Sequence, residues 1–313
     1  MGKKKLVFAT IAFVIFTALT AFNIPGSAEP GNPILIYHVH VIDVTNGKIA
    51  NDKAILIINN RIESIADFDI IRAKNKNARL IDGGGRYAIP GLWDMHVHLE
   101  GTDLVEDNQA LLPVFIAYGV TTIRDAASDL GLQVLAWRDK VNRGELFGPR
   151  IFTAGIKLEG IKSKWRGDFE IANEQELAVK LDTLVKLKVD FIKITDNTLP
   201  GDLFLKSVIG SKKSGFKVSG HVPMDLSIHE LADAGFTSIE HSSYLLRLGF
   251  DEQKIANDLR TGGISRAEAS GIYQGKFDQQ KALAGYRYLA GKKLAVCPTL
   301  TGGYQSAYPD KDN

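Results

Sequence analysis

Two histidines one residue apart, His96 and His98 in "GLWDMHVHLE", can grip one metal ion if that segment is a strand. Alternate side chains of a strand leave the same face with Cα atoms roughly 6.5 Å apart, so two imidazoles can lean onto one cation at about 2 Å each. Asp94, two residues before His96, is placed to accept from an imidazole and hold it in orientation. The same triplet occurs earlier, as His38 and His40 in "IYHVHVID". No other ligand-type cluster surrounds that copy, and it reads as the solvated face of an amphipathic strand.

Other candidate ligands stand at corresponding places further along. His221 follows the apolar run in "KVSGHVP" and His241 follows that in "SIEHSS", so four of the seven histidines end strand-like segments. His229 falls in the first turn of an expected helix and reads as a surface residue. Lys193 in "DFIKITD" is flanked by Phe191, Ile192 and Ile194. An ammonium there is costly unless paired, and burial favours the neutral amine, which can add carbon dioxide to become an anionic carbamate able to bridge two cations. The alternative is a lysine whose stem lines the strand end while its head reaches water.

The elements that must position these residues change character along the chain. From Ile34 to about Leu80, short β-rich runs alternate with turn signals, giving a small antiparallel β unit. From Arg86 onward, seven apolar segments alternate with helical ones, a pattern of βα units around a parallel sheet: "YAIPGLWDMHVHL", "GVTTIRDA", "PRIFTAG", "VDFIKITD", "FKVSGHV", "FTSIEHSS" and "LAVCPTL". Asn173 can cap a helix with Glu176 reaching back and Leu177, Leu181 and Leu184 on one face; Ser227 begins another helix that Gly235 ends. Ligand-type residues at strand C-termini favour a (β/α) barrel over a doubly wound sheet. No glycine-rich phosphate loop follows any strand. The 245–293 segment is an additional helical excursion.

With 45% hydrophobic residues over 313 positions, the chain can bury one large core with a small satellite domain. Lys3, Lys4 and Lys5 precede an apolar run to Phe22, then Pro25 and the small residues Gly26–Ala28: residues 1–28 read as a signal peptide and the protein as exported, periplasmic or secreted. The alternative is an uncleaved anchor, so any membrane contact is expected through this leader alone. Without those lysines, 35 basic side chains face 36 acidic ones, a balance that argues against nucleic acid as partner. The single cysteine, Cys297, cannot form an internal disulfide.

Taken in order and spacing, "IPGLWDMHVHL", "VTTIRDA", "FIKITD", "VSGHVP" and "SIEHSS" resemble the metal-dependent amidohydrolase superfamily, in its imidazolonepropionase-like and dipeptidase-like branch, over roughly residues 34 to 300. "ILIINNRIESI" and "RLIDGGGRYAIPG" are similar to that family's N-terminal β-sandwich, here residues 29–85, leading into its barrel, here residues 86–313. The resemblance implies two divalent ions, zinc foremost: His96 and His98 on the more buried one, His221 and His241 on the more exposed one, carboxylated Lys193 between them. It implies hydrolysis of a carbon–nitrogen bond in a small amide, cyclic amide or dipeptide by a metal-bound hydroxide.

The family pattern includes an eighth strand ending in an acid/base aspartate, and the chain departs from it after "CPTLTGGYQSAYPDKDN". Asp310 and Asp312 have no strand-like context and are not assigned that role. The expectation is a barrel of about seven of eight strands, C-terminally truncated, with little activity as it stands. Two other readings stay open: a non-catalytic exported metal- or ligand-binding protein, and a lactonase or phosphotriesterase-like hydrolase with the same metal cage. Lys157, Lys162, Lys164 and Arg166, with Trp165, could receive a substrate carboxylate, though a solvated charged loop explains them as well. Arg124 and Asp125 are expected to pair with each other or touch substrate.

Overall fold

The computed structural model describes residues 32–307. The expected leader, Asp310 and Asp312 lie outside the described residues. The chain divides into two compact units, one up to Pro90 and one from Gly91.

In the first unit, strands β1 (Ile34–Ile42), β2 (Ile49–Ile58), β3 (Arg61–Ala66) and β4 (Arg79–Ala88) form one sheet in the order β3-β2-β1-β4, with helix α1 (Phe68–Lys74) between β3 and β4. Leu35, Ala54, Leu56, Ile71 and Ala78 make its core. The expected antiparallel unit is corrected here: β1 pairs with β2 antiparallel but with β4 parallel. The reason is connectivity. Tight turns join β1 to β2 and β2 to β3, whereas α1 carries the chain across so that β4 returns in the direction of β1. The described residues of this unit thus build a single mixed sheet.

The second unit is parallel throughout. Strands β5 (Leu92–Val97), β6 (Val120–Asp125) and β7 (Arg150–Thr153) form one sheet. The other has the order β13-β12-β11-β10-β8-β9, from β8 (Leu158–Gly160), β9 (Phe169–Ile171), β10 (Ile192–Ile194), β11 (Val218–Gly220), β12 (Ser238–Glu240) and β13 (Ala295–Cys297). Asp190 joins the two: its backbone N–H donates to Thr153 O and its Oδ2 accepts from Thr153 N–H, both at 2.9 Å. All seven expected strand segments are strands. The added pair, β8 and β9, lies in the segment read as a charged loop. Leu158 and Ile171, each fully buried, anchor it, and Lys157 pairs with Asp168 at 2.8 Å under Trp165 instead of standing in solvent. Lys162, Lys164, Trp165 and Arg166 are exposed, as a solvated loop requires.

Helices α2 (Val105–Ala117) and α3 (Gly131–Asn142) follow β5 and β6; α4 (Glu174–Lys186), α5 (Gly201–Lys213) and α6 (Ile228–Ala234) follow β9, β10 and β11. In α4 the Asn173 side chain accepts from Glu176 N–H at 2.9 Å, Glu176 reaches back to Ala172 N–H at 2.8 Å, and Leu177, Leu181 and Leu184 are buried. In α6 the Ser227 side chain caps Glu230 N–H and Gly235 closes the helix at φ 103°; the Glu230 carboxylate turns instead to Arg260. The excursion holds a 3-10 helix (Ser242–Gly249), then α7 (Glu252–Arg260), α8 (Arg266–Tyr273) and α9 (Gln279–Gly291); α10 (Leu300–Ala307) follows β13. Arg247 fastens the excursion to the segment after His221, donating to the carbonyls of Pro223 at 2.9 Å and Leu226 at 2.6 Å. No described helix is long and apolar enough to cross a membrane.

Candidate metal centre

The short central strands are buried on both faces, so polar side chains can reach solvent only where a strand ends. His98 lies just past β5, His221 directly after β11 and His241 directly after β12. The imidazole centroids of His96 and His98 are 4.9 Å apart, those of His96 and His241 5.0 Å, and those of His221 and His241 5.1 Å. Four rings scattered over 146 residues therefore share one mouth of the parallel sheets. Beside them opens a cavity of about 1130 Å³, lined among others by Asp94, His96, His241, Ser242 and Thr299.

Each of these rings is held from behind at Nδ1. His96 Nδ1 meets Glu240 Oε2 at 2.7 Å, His98 Nδ1 the Ala127 carbonyl at 2.6 Å, His221 Nδ1 Asp196 Oδ1 at 3.2 Å, and His241 Nδ1 Thr299 Oγ1 at 2.8 Å. Carboxylate and carbonyl partners only accept, which puts the proton of the first three rings on Nδ1 and leaves Nε2 as a lone-pair donor. Two of these nitrogens, on His96 and His98, lie 3.1 Å apart. Facing lone pairs repel, and a cation between them removes the conflict. Two backbones are bent to serve this arrangement: Ala127 at φ 77° and His241 at φ 73°, the latter held by its N–H bond to Cys297 O at 2.8 Å.

Lys193, at the middle of β10, is 1% exposed and its Nζ has no hydrogen-bond partner. Burial lowers its pKa to about 8, with Glu240 opposing the shift and Arg124 reinforcing it. Its charge in turn depresses His98, His221 and His241. His98 and His241 titrate at about 4, chiefly because the protein displaces water around them, with the Ala127 hydrogen bond opposing the shift of His98. An orphaned buried amine and four rings presenting free nitrogens fit a cationic metal group.

Three sequence expectations are corrected. Asp94 accepts from the His96 backbone N–H at 3.1 Å, and Glu240 takes the place behind the ring foreseen for it. Arg124 and Asp125 do not pair: Arg124 grips Glu240 at 2.6 and 2.7 Å, while fully buried Asp125 accepts from Thr153 Oγ1 at 2.6 Å and Leu99 N–H at 3.2 Å, because their side chains leave opposite faces of β6. His229 is half-buried against Glu252 at 2.8 Å. His38 and His40 belong to the first unit, His38 on Asp82 at 3.2 Å and His40 accepting from Asp52 N–H at 3.3 Å.

Sequence reasoning missed Glu240, Asp196 and Thr299. Glu240 had a visible signal: a carboxylate inside the buried triplet "SIE" is the same anomaly as Lys193. Burial alone would raise its carboxyl, but the His96 hydrogen bond and the charges of Lys193 and Arg124 hold it far below the ordinary range.

No family model matches the chain. The adenine deaminase of Staphylothermus marinus is 29% identical over 120 residues, 33% of this chain and 20% of the deaminase. The matched stretch thus spans about a fifth of that relative's length. Among solved structures, molinate hydrolase superposes with a TM-score of 0.62 at 18% identity, covering 86% of this chain and 64% of the hydrolase. An amidohydrolase does so with a TM-score of 0.56 at 18% identity, covering 84% of each chain. Part of the chain is thus similar in sequence to an adenine deaminase, and its fold is similar to that of an amidohydrolase and of molinate hydrolase.

Proposed function

We propose that this is an exported metal-dependent hydrolase of carbon–nitrogen bonds in small molecules, built on a (β/α) barrel. His96 and His98 hold one divalent ion, His221 and His241 a second, and Lys193 bridges them as a carbamate. Zinc suits the imidazole set, and ions bound there supply Lewis acidity to the scissile group and the attacking water. The chain's own part is preparation. The depressed pKa of Lys193 enlarges the fraction of neutral amine, which forms an N–C bond to carbon dioxide and loses a proton to solvent, leaving one negative charge shared by two oxygens where the structure has an orphaned nitrogen. The Nδ1 partners of His96, His98 and His221 keep Nε2 deprotonated, and all four partners aim their rings, so little reorganisation accompanies metal uptake. The wide cavity beside His96 and His241 admits a small substrate.

What supports this reading is the clustering of four imidazoles, each with a partner at Nδ1, together with a buried lysine in the same unit whose Nζ has no hydrogen-bond partner. Amides, cyclic amides and dipeptides are the first substrate class. The deaminase similarity favours a second, an amino group on a heteroaromatic ring. The test is metal analysis of the chain reconstituted with zinc in ¹³C-bicarbonate, followed by assays on amides, dipeptides, lactams, lactones and adenine. Expected are two equivalents of zinc, a carbamate ¹³C signal lost in Lys193→Arg, and release of amine or ammonia. Two bound zincs with no turnover of any carbon–nitrogen substrate would leave a metal-binding protein; turnover of lactones alone would leave a lactonase.

A further inference from the structure

We propose that Glu240 is a positioning residue: its carboxylate, locked by Arg124, fixes His96 as a metal ligand through Nε2. The inference rests on the metal centre proposed above and adds to it a residue that never touches metal or substrate.

Glu240 is fully buried at the end of β12, and its oxygens are crowded with donors. Oε1 takes Arg124 Nη2 at 2.6 Å, Ser219 Oγ at 2.5 Å and Ser238 Oγ at 2.8 Å. Oε2 takes Arg124 Nη2 at 2.7 Å and His96 Nδ1 at 2.7 Å. A carboxylate offers roughly four lone-pair sites, and these five contacts fill them. The ligand-type atoms of His96, Glu240 and Cys297 lie within 4.8 Å of one another, an arrangement that could pass for a metal site of its own. Saturation of the carboxylate excludes that use: a cation on Glu240 would have to displace Arg124 or a hydroxyl.

What Glu240 can do is act through His96. Arg124 is itself immobilised, with Nε donating to Met95 O at 2.6 Å and its guanidinium 5.4 Å from the centre of the Phe191 ring. The carboxylate therefore sits at a fixed point defined by β5, β6, β11 and β12. From that point it dictates both the rotation of the His96 ring and the nitrogen that carries its proton. A buried carboxylate also strengthens the ring's donation to a cation on the far side, an effect on metal affinity of about 10–100-fold in comparable arrangements. A Glu240 that served only to neutralise Arg124 would leave metal affinity unchanged.

The full chain and Glu240→Gln are compared by zinc competition with a chelator, by the visible spectrum of the cobalt(II)-substituted protein, and by thermal unfolding of the metal-free form. Expected are roughly 10–100-fold weaker binding of one of two equivalents and altered cobalt bands in a variant that still unfolds cooperatively. Wild-type affinity and an unchanged spectrum would overturn the proposal. If the variant does not fold, ¹⁵N-histidine spectra of the wild type decide. An exchange-protected Nδ1 proton on His96, identified by its loss in His96→Asn, is expected, and a proton on Nε2 sinks the idea. A wild-type chain that binds no metal removes the proposed function along with this inference; a wild type with two metals and an indifferent variant removes only this one.

Discussion

A histidine binds metal through a nitrogen that carries no proton, and here the acceptor behind His96, His98 and His221 makes that choice. Keeping the rings neutral has a consequence for stability. His98 and His241 titrate near 4 in the folded chain against 6.5 for a free imidazole, so between those values the unfolded chain binds more protons. The stability they contribute is complete above 6.5 and is lost as pH falls toward 4. Asp125 works in the opposite sense: burial lifts its carboxyl to about 6, so the stability it gives in acid fades as pH rises through 6. With two imidazoles against one carboxyl, the urea midpoint of the metal-free chain should decline from pH 6.5 to 4. A flat or rising midpoint would show the rings to be fully hydrated. At this scale the sequence was legible where a charge interrupted an apolar run. Lys193 announced itself that way, as did Glu240 to a reader applying the same test. Asp196 and Thr299 gave no such signal, because an ordinary polar residue past a strand end becomes a ring partner only through a neighbour 25 or 58 residues away.

The strands that carry the site are three residues long in β10, β11 and β12, and they owe their existence to neighbours more than to propensity. Close approach between β10 and β11 depends on Gly220, where an added Cβ would lie 2.0 Å from the Ile194 carbonyl oxygen. Backbone cannot yield as a flexible side chain does, so Gly220→Ala should cost about 3 kcal/mol, the upper part of the overpacking range. It should also weaken metal binding, because His221 follows directly. Wild-type stability by chemical denaturation would mean that the two strands can part freely. Helix ends were readable in advance because Asn173, Ser227 and Gly235 act on their own first or last turn. The pair β8 and β9 was not, since the burial of Lys157 against Asp168 and Trp165 joins residues whose local sequence is that of a charged loop.

Every proposed ligand belongs to the unit beginning at Gly91, and none to the sheet of Ile34–Ala88. Metal binding should therefore slow amide exchange around residues 96–98, 192–194, 218–221 and 238–241 while leaving residues 34–88 unchanged. A chelator should reverse the effect together with a stabilisation of about 2.7 kcal/mol at hundredfold excess of metal over its dissociation constant. Protection spread evenly over both units would contradict a site confined to the second. The sequence by itself determined the alternation of strands and helices, the placing of His96, His98, His221 and His241 at strand ends, and the anomaly of Lys193, because periodicity and burial cost act over a few neighbouring residues. Only the tertiary structure decided that β4 runs parallel to β1, that Arg124 grips Glu240, and that each ring has a partner at Nδ1. Those outcomes depend on which distant segments meet, and local pattern carries no term for a contact between residues 25 to 144 positions apart.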